Sequence, residues 1–294
     1  MFTSVSSIQR PIRCLPATVI CLLACACSRL GPHVEQGVLP PGAPPIAAIL
    51  GDLAANDQAI RNFKAKGAFT LASPDLAAVK SFDDGFVAFR RPADLCVIGR
   101  KYLGAAVFRL TCVGSEFLIE FPAAPEEQPY YRLEGEQFDS VPFSVSPSDI
   151  AREMFLPEDW AELRENEVRM AAYDETKQQA TIVIGRGKTP RRIVSVIGPP
   201  WVVSHSERLD EDGRTLAVTL KNQYVDVEGI RFPSRMEVEF PLEQTRMTLD
   251  LRKVWPNTEL GADWFDIKAR ARIAGVDVKR SARENRPPQS TGER

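Results

Sequence analysis

The sequence predicts an α+β fold: a strongly curled antiparallel sheet of about eleven or twelve strands, with two or three helices plugging its concave face. Three observations carry this. Short segments of alternating apolar and polar residues follow one another from Phe63 to Val254. Turn residues, not crossover helices, separate them, which is the mark of a meander and excludes a nucleotide-binding parallel sheet. A sheet of that many strands must curl or close, and the apolar concave face it forms needs a cover, which two helix-patterned segments can supply.

The first of those segments places Ile46, Ile49, Leu50, Leu53 and Ile60 on one face, predicting an amphipathic helix over 45–62. From Phe63 the period becomes two, through "KAKGAFTLAS", "FDDGFVAFRR", "DLCVIGR", "AAVFRLTCV", "SEFLIEFP" and "PYYRLEGE". Asp84-Gly85 and Gly114-Ser115 read as turns between strands. The second helix begins in "SPSDIAREMF", with Ser146 as N-cap, Pro147 at the first helical position and Asp149 in the first turn. Ile150, Met154 and Phe155 give it one apolar face. Strands resume near Glu167 and run through "TIVIG", "RRIVSVIG", "WVVSHSE", "TLAVTLKN", "GIRFPSRMEVEF" and "RMTLDLRKV". Met236, Val238 and Phe240 share one face of the penultimate strand, and Arg235, Glu237 and Glu239 the other.

Both ends differ from this body. Arg10 and Arg13 precede the apolar stretch "CLPATVICLLACAC", the layout of an export signal. Leu22-Leu23-Ala24-Cys25 resembles a bacterial lipobox, in which the cysteine is acylated and becomes the first mature residue. Cys27 is a fallback acceptor, and an ordinary cleaved signal is the alternative. Asp does not follow Cys25, which by the sorting rule of such lipoproteins in diderm bacteria points to the outer membrane. The expected organisation is a signal peptide over 1–24, a lipid anchor and Pro/Gly-rich tether over 25–45, a folded domain over 46–275, and a disordered polar tail over 276–294.

Composition bounds the function classes. The chain of 294 residues carries a formal net charge of -2, with Lys and Arg scattered among Asp and Glu. There is no basic stripe for nucleic acid, and no apolar run approaches the roughly 20 residues of a membrane-spanning helix. Catalytic constellations are equally hard to find. His33 lies in the tether, and His205 alternates with Trp201 and Val203, which predicts a structural histidine on their face. No G-x-S-x-G elbow is present. Gly185-Arg186-Gly187-Lys188-Thr189 lacks the upstream glycine of a phosphate loop, since Ile182 holds that position. A hairpin turn explains its glycines better. Asp83-Asp84 precedes Gly85 as a tight turn requires, and no Cys/His spacing suits a metal. No catalytic residue, metal or cofactor is therefore expected.

Two cysteines, Cys96 and Cys112, lie in the body. If their hairpin turns about Gly104 they stand directly opposite, which permits a cross-strand disulfide in an oxidising compartment. A one-residue slip breaks that pairing, leaving two reduced core cysteines.

The order "KAKGAFTL", "VAFRRP", "YLGAAVFRL", "EFLIEFP", "SPSDIAREMFLP", "GIRFPSRMEVEF", "RMTLDLRKV" resembles the LolA/LolB-like lipoprotein-localisation proteins, the membrane-anchored branch in particular. The likeness runs from about Phe63 to Val254. It implies a curled antiparallel half-barrel whose apolar cavity holds the acyl chains of other lipoproteins. It also implies receipt of cargo from a soluble periplasmic carrier and delivery to the outer membrane. The family's Pro-Leu-Gly loop, which projects a leucine into lipid, is matched by Tyr102, Leu103 and Gly104, with tyrosine in place of proline. Tyrosine suits a membrane interface. The expected acyl-chain cavity is lined by Phe69, Leu71, Phe108, Leu110, Phe117, Ile119, Met236, Val238 and Phe240, with Ile150 and Met154 on the plug helix. The expectation is thus a monomeric, non-enzymatic, outer-membrane-anchored lipoprotein facing the periplasm, whose partners are lipoprotein acyl chains or lipid and a carrier protein. An envelope-assembly lipoprotein that grips a protein partner with the same fold is the alternative.

Overall fold

A computed structural model describes residues 40, 42–74, 79–101, 104–123, 130–132, 145–155, 158–186 and 189–275. The signal, Cys25, the tether up to residue 39, Tyr102, Leu103 and the tail from 276 lie outside the described residues.

Helix α1 (Ile46–Gln58) opens the described chain. Six strands follow: β1 (Asn62–Ala72), β2 (Lys80–Arg90), β3 (Asp94–Lys101), β4 (Ala105–Val113), β5 (Glu116–Glu120) and β6 (Tyr130–Arg132). Helix α2 (Pro147–Phe155) separates these from β7 (Val168–Asp174), β8 (Gln179–Arg186), β9 (Thr189–Ile197) and β10 (Val202–Leu209). Then come β11 (Thr215–Val227), β12 (Ile230–Phe240), β13 (Thr245–Pro256) and helix α3 (Ile267–Ile273). All thirteen strands form one antiparallel sheet in the order β6-β5-β4-β3-β2-β1-β13-β12-β11-β10-β9-β8-β7. Two meanders are therefore joined where β1 pairs with β13. The end strands β6 and β7 do not pair with each other, so the sheet curls without closing.

The curl has a local cause. Gly67 pairs with Gly85, and Gly85 with Gly99, so three glycines lie in a row across β1, β2 and β3. Register shifts fall beside them, at Lys66/Gly67, Gly67/Phe69 and Gly99/Arg100. A Cβ on Gly85 would sit 2.5 Å from the Ile98 carbonyl oxygen, and one on Gly99 would sit 2.6 Å from the Phe82 ring. Only glycine admits that close approach, and bulges at such a row bend the sheet sharply. Asp84-Gly85 is thus no turn: both residues lie inside β2, and the Asp-Gly pair that reads as a hairpin tip serves a bend. Strands β8 and β9 pair antiparallel out to Arg186 and Thr189, and Gly187 and Lys188 between them lie outside the described residues.

Two helices cover the inner face, one on each half of the sheet. The larger apolar cluster joins β1–β5 and β11–β13 to Ile150, Ala151 and Met154 of α2. The smaller joins β7–β9, Trp201 and Val203 to Ile49, Leu50 and Leu53 of α1. Helix α1 stops at Gln58, four residues short of the expected end, because Asn62 already begins β1. Its C-terminus is fastened by side chains: Arg91 Nη2 donates to the Asp57 carbonyl at 2.7 Å and Nε to that of Ile60 at 2.8 Å. Asn257 Nδ2 donates to the Ala59 carbonyl at 2.8 Å. The third helix goes elsewhere. Ile267 and Ala271 of α3 pack on Leu118, and Phe265 packs on Ala88 and Cys96, residues whose strand neighbours face the inner cluster. It therefore sits on the outer face, held by Arg270 to Glu120 at 2.7 Å.

The cysteine register is also settled. The ladder begins at Lys101 and Ala105, so the hairpin is centred one residue before Gly104. The bulge at Gly99/Arg100 then shifts the pairing by one, so that Cys112 faces Leu95 and Cys96 faces Thr111. Successive side chains on a strand point to opposite faces. Cys112 accordingly joins the inner cluster and Cys96 the outer one, and both are free thiols. The expected disulfide does not form. A second bulge, at Val203/His205, reverses the parity of β10. His205, expected beside Val203, instead pairs with the exposed Leu220 on the outer face.

Candidate functional site

The eleven residues expected to line an acyl-chain cavity all come together. Phe69, Leu71, Phe108, Leu110, Phe117, Ile119, Ile150, Met154, Met236, Val238 and Phe240 are all members of the larger inner cluster, each at most 5% exposed. Alternation delivers them to one face, and the curl brings the faces of β1–β5 and β12–β13 against α2. Phe69, Leu71, Phe108, Leu110 and Ile150 border a wholly apolar void of about 10 Å³. Met154 and Met236 border a second cavity of about 60 Å³. The other four pack in the same cluster away from both voids. Ligand pockets for drug-sized molecules run to roughly 300–1,000 Å³, so the described inner face is filled, with α2 seated against it.

Gly104 is the described residue of the expected loop. The β3–β4 ladder reaches Lys101 and Ala105, leaving Tyr102, Leu103 and Gly104 as the three-residue connection. Gly104 has φ +80°, a left-handed conformation that closes such hairpins, and its carbonyl accepts from Arg100 Nε at 2.7 Å. Tyr102, Leu103 and Cys25 fall outside the described residues.

What sequence reading missed is a polar layer between the two apolar clusters. Glu153 on α2 is 3% exposed and accepts two bonds from Arg192 of β9, at 2.8 and 3.1 Å. Arg208 of β10 adds a third contact at 2.8 Å, and Ser206 accepts from Arg192 at 2.8 Å. A fully paired buried group of this kind fixes the position of α2 on the sheet; the same carboxylate alone would be strongly unfavourable there. Beside it lies Lys221 of β11, 7% exposed, whose ammonium is pushed down to about 8 by burial against the attraction of Asp57 and Glu153. Burial also raises Asp57, which the Arg91 guanidinium at 2.7 Å only partly offsets. Tyr224 hydroxyl donates to the Val203 carbonyl at 2.5 Å, and its burial holds the phenol well above the usual tyrosine range. Asn56 exchanges two hydrogen bonds with the Arg231 backbone, at 2.8 and 3.1 Å. Lys221, Asp57, Tyr224 and Arg231 line the 60 Å³ cavity together with Trp160 and Trp201.

The one readable signal was helical. Glu153 lies one residue before Met154 and three after Ile150, on the shoulder of the buried face of α2. The strand residues gave none, for β11 is inverted: Ala217, Thr219 and Lys221 face inward while Leu220 is 41% exposed.

The arrangement defines an open, curled antiparallel half-barrel with helices on its inner face, the LolA/LolB-like fold. No protein-family model matches the sequence, and no curated protein is similar to it. Solved structures do match. A DUF1329 family protein from Desulfovibrio piger aligns over 77% of this chain and 99% of its own, with a TM-score of 0.50 and 14% identity. An outer membrane lipoprotein-sorting protein domain from Vibrio parahaemolyticus aligns over 76% and 99%, with a TM-score of 0.50 and 8% identity. A LolA superfamily protein from Nitrosomonas europaea aligns over 77% and 100%, with a TM-score of 0.46 and 16% identity. At such identities the likeness is one of fold; activity lives in sites placed on a fold.

Proposed function

We propose that the chain is an outer-membrane-anchored lipoprotein, acylated at Cys25, whose half-barrel receives acyl chains of other lipoproteins and helps to insert them into the membrane. The observation that carries this is the inner face itself. One apolar cluster joins strands of both meanders, and a single short helix, α2, covers it. Helix α2 has nine residues and buries Ile150, Ala151 and Met154 there. Each fully buried large apolar side chain contributes roughly 1.5–3 kcal/mol. An acyl chain gains about 0.8 kcal/mol per buried CH2, so one or two chains match the contribution of α2 and can take its place. No chemical step is needed: transfer follows the difference in apolar burial between barrel and bilayer. Leu103, with Tyr102 and Gly104, is the membrane contact at the β3–β4 tip. A soluble carrier on the periplasmic side supplies the cargo. The Vibrio domain, by its description a lipoprotein-sorting protein, has the same fold and supports the reading.

The test is native mass spectrometry of the protein taken from its own envelope, combined with lipoprotein sorting in a deletion strain. Bound lipid or acylated protein, with missorting in the deletion, is the expected result; an empty protein with normal sorting sinks the proposal.

A second reading has its own observation. The inner face is filled, with voids of about 10 and 60 Å³, which is what an envelope-assembly adaptor with a permanently docked α2 would show. Such a protein stays empty in the same experiment and carries a protein partner instead.

A further inference from the structure

The 60 Å³ cavity holds a feature that apolar cargo alone does not explain. Lys221 lines it at 7% exposure. Among the described residues no hydrogen bond or ion pair reaches the Lys221 ammonium; it feels attraction across space from Asp57 and Glu153 and repulsion from Arg192. Both of those carboxylates are already engaged, Asp57 by Arg91 at 2.7 Å and Glu153 by Arg192 and Arg208 at 2.8 Å. A second cation shares the wall. The Arg231 guanidinium lies 5.9 Å from the Tyr224 ring, and among the described residues it forms no ion pair. A buried cation without a partner is unfavourable, and a ligand that brings the partner removes that cost.

The remaining wall gives the other half of the ligand. Phe63, Phe232 and Met236 line the same cavity and belong to the main apolar cluster, so the cavity wall combines two cations with apolar residues shared with the α2 site. Its volume of about 60 Å³ leaves room for a carboxylate head. We propose that the cavity binds the carboxylate of an anionic amphiphile of the fatty-acid class. The head is held by Lys221 with Arg231 as the second cation, and the chain follows Phe63, Phe232 and Met236 onto the inner face. The tail part rests on the acyl-binding reading above, since it uses the space that α2 fills. A dianionic phosphate suits the site less, because the Asp57 carboxylate stands in the same wall. Near neutral pH most of Lys221 carries its proton, as the head requires.

The test is titration calorimetry on the full chain in an uncharged detergent, with octanoate, 1-octanol and acetate as ligands. Octanoate is expected to bind at least about ten-fold more tightly than octanol, the scale of a hydrogen bond to a charged group. Lys221→Met is expected to bring octanoate down to the affinity of octanol while leaving octanol unchanged. Equal binding of octanoate and octanol to the unmodified protein overturns the anion site and leaves the acyl reading intact. Acetate binding as tightly as octanoate overturns the amphiphile. Binding of none of the three overturns both the site and the acyl-binding reading on which its tail rests. The comparison of ligands on the unmodified protein needs no variant, so it stands whether or not the substituted chain folds.

Discussion

At the scale of single residues, Lys221 is where stability and binding pull apart. In the unfolded chain its ammonium titrates near 10.5, and in the fold at about 8. That difference corresponds to a penalty of roughly 3 kcal/mol on the charged form. Below about pH 8 both states hold the proton and the whole penalty is present. Between about 8 and 10.5 the unfolded chain alone keeps it, so the penalty fades as pH rises. The charged groups acting on Lys221 are Asp57 from α1, Glu153 from α2 and Arg192 from β9, and Tyr224 and Arg231 line the same cavity. Lys221→Met is therefore expected to melt about 3 °C or more above the unmodified protein at pH 7. The advantage is expected to shrink by pH 10. A lower melting temperature at pH 7 would mean that the ammonium has a partner and that its burial is purely structural. A group retained at a cost to the fold is the pattern of a functional site.

At the scale of elements, α2 and β11 explain each other. Glu153 needs cationic partners, and Arg192 and Arg208 supply them from two adjacent strands. Thr219 Oγ1 donates to the Glu153 carbonyl at 3.3 Å, so β11 turns its polar side toward α2. Removing the carboxylate with Glu153→Ala leaves Arg192, 5% exposed, without its principal partner. The expected loss is about 3–5 kcal/mol in urea unfolding, with faster amide exchange in α2. The paired replacement Glu153→Met with Arg192→Met is expected to recover most of that loss, because it removes both charges together. A single-variant loss below about 1 kcal/mol, or no recovery in the pair, would show that α2 is held by its apolar face alone.

At the scale of the whole molecule, the sheet is two meanders meeting at β1 and β13, and the β3–β4 hairpin ends in a loop with leucine at its middle position. Turn tips ordinarily carry polar or flexible residues. Leu103→Glu places a charge where the proposed membrane contact lies. It is expected to lower delivery of an acylated protein to liposomes by about ten-fold or more. That corresponds to a loss of over 1 kcal/mol, the range for exposing a buried leucine. Unchanged delivery would remove the loop from the mechanism while leaving the cavity readings standing.

By itself the sequence determined the periodic parts of this protein. Met236, Val238 and Phe240 alternate, Ile150 and Met154 share a helix face, and Pro147 follows a capping Ser146. Strand and helix period alone then place these residues on the buried faces of their elements. Only the tertiary structure decided the rest, because it depended on counts of one. A single-residue bulge beside Gly99 parts Cys96 from Cys112, another before His205 turns that side chain outward, and an Asp-Gly pair that reads as a turn lies inside a bent strand. The polar layer followed the same logic. In β11 the outward position of Leu220 and the inward position of Lys221 are reversed from what hydrophobicity prefers. Pairing with β10 and β12 sets the register of the whole strand. The carboxylates of α1 and α2 that make an inward lysine tolerable are 164 and 68 positions away, a distance no local period can register.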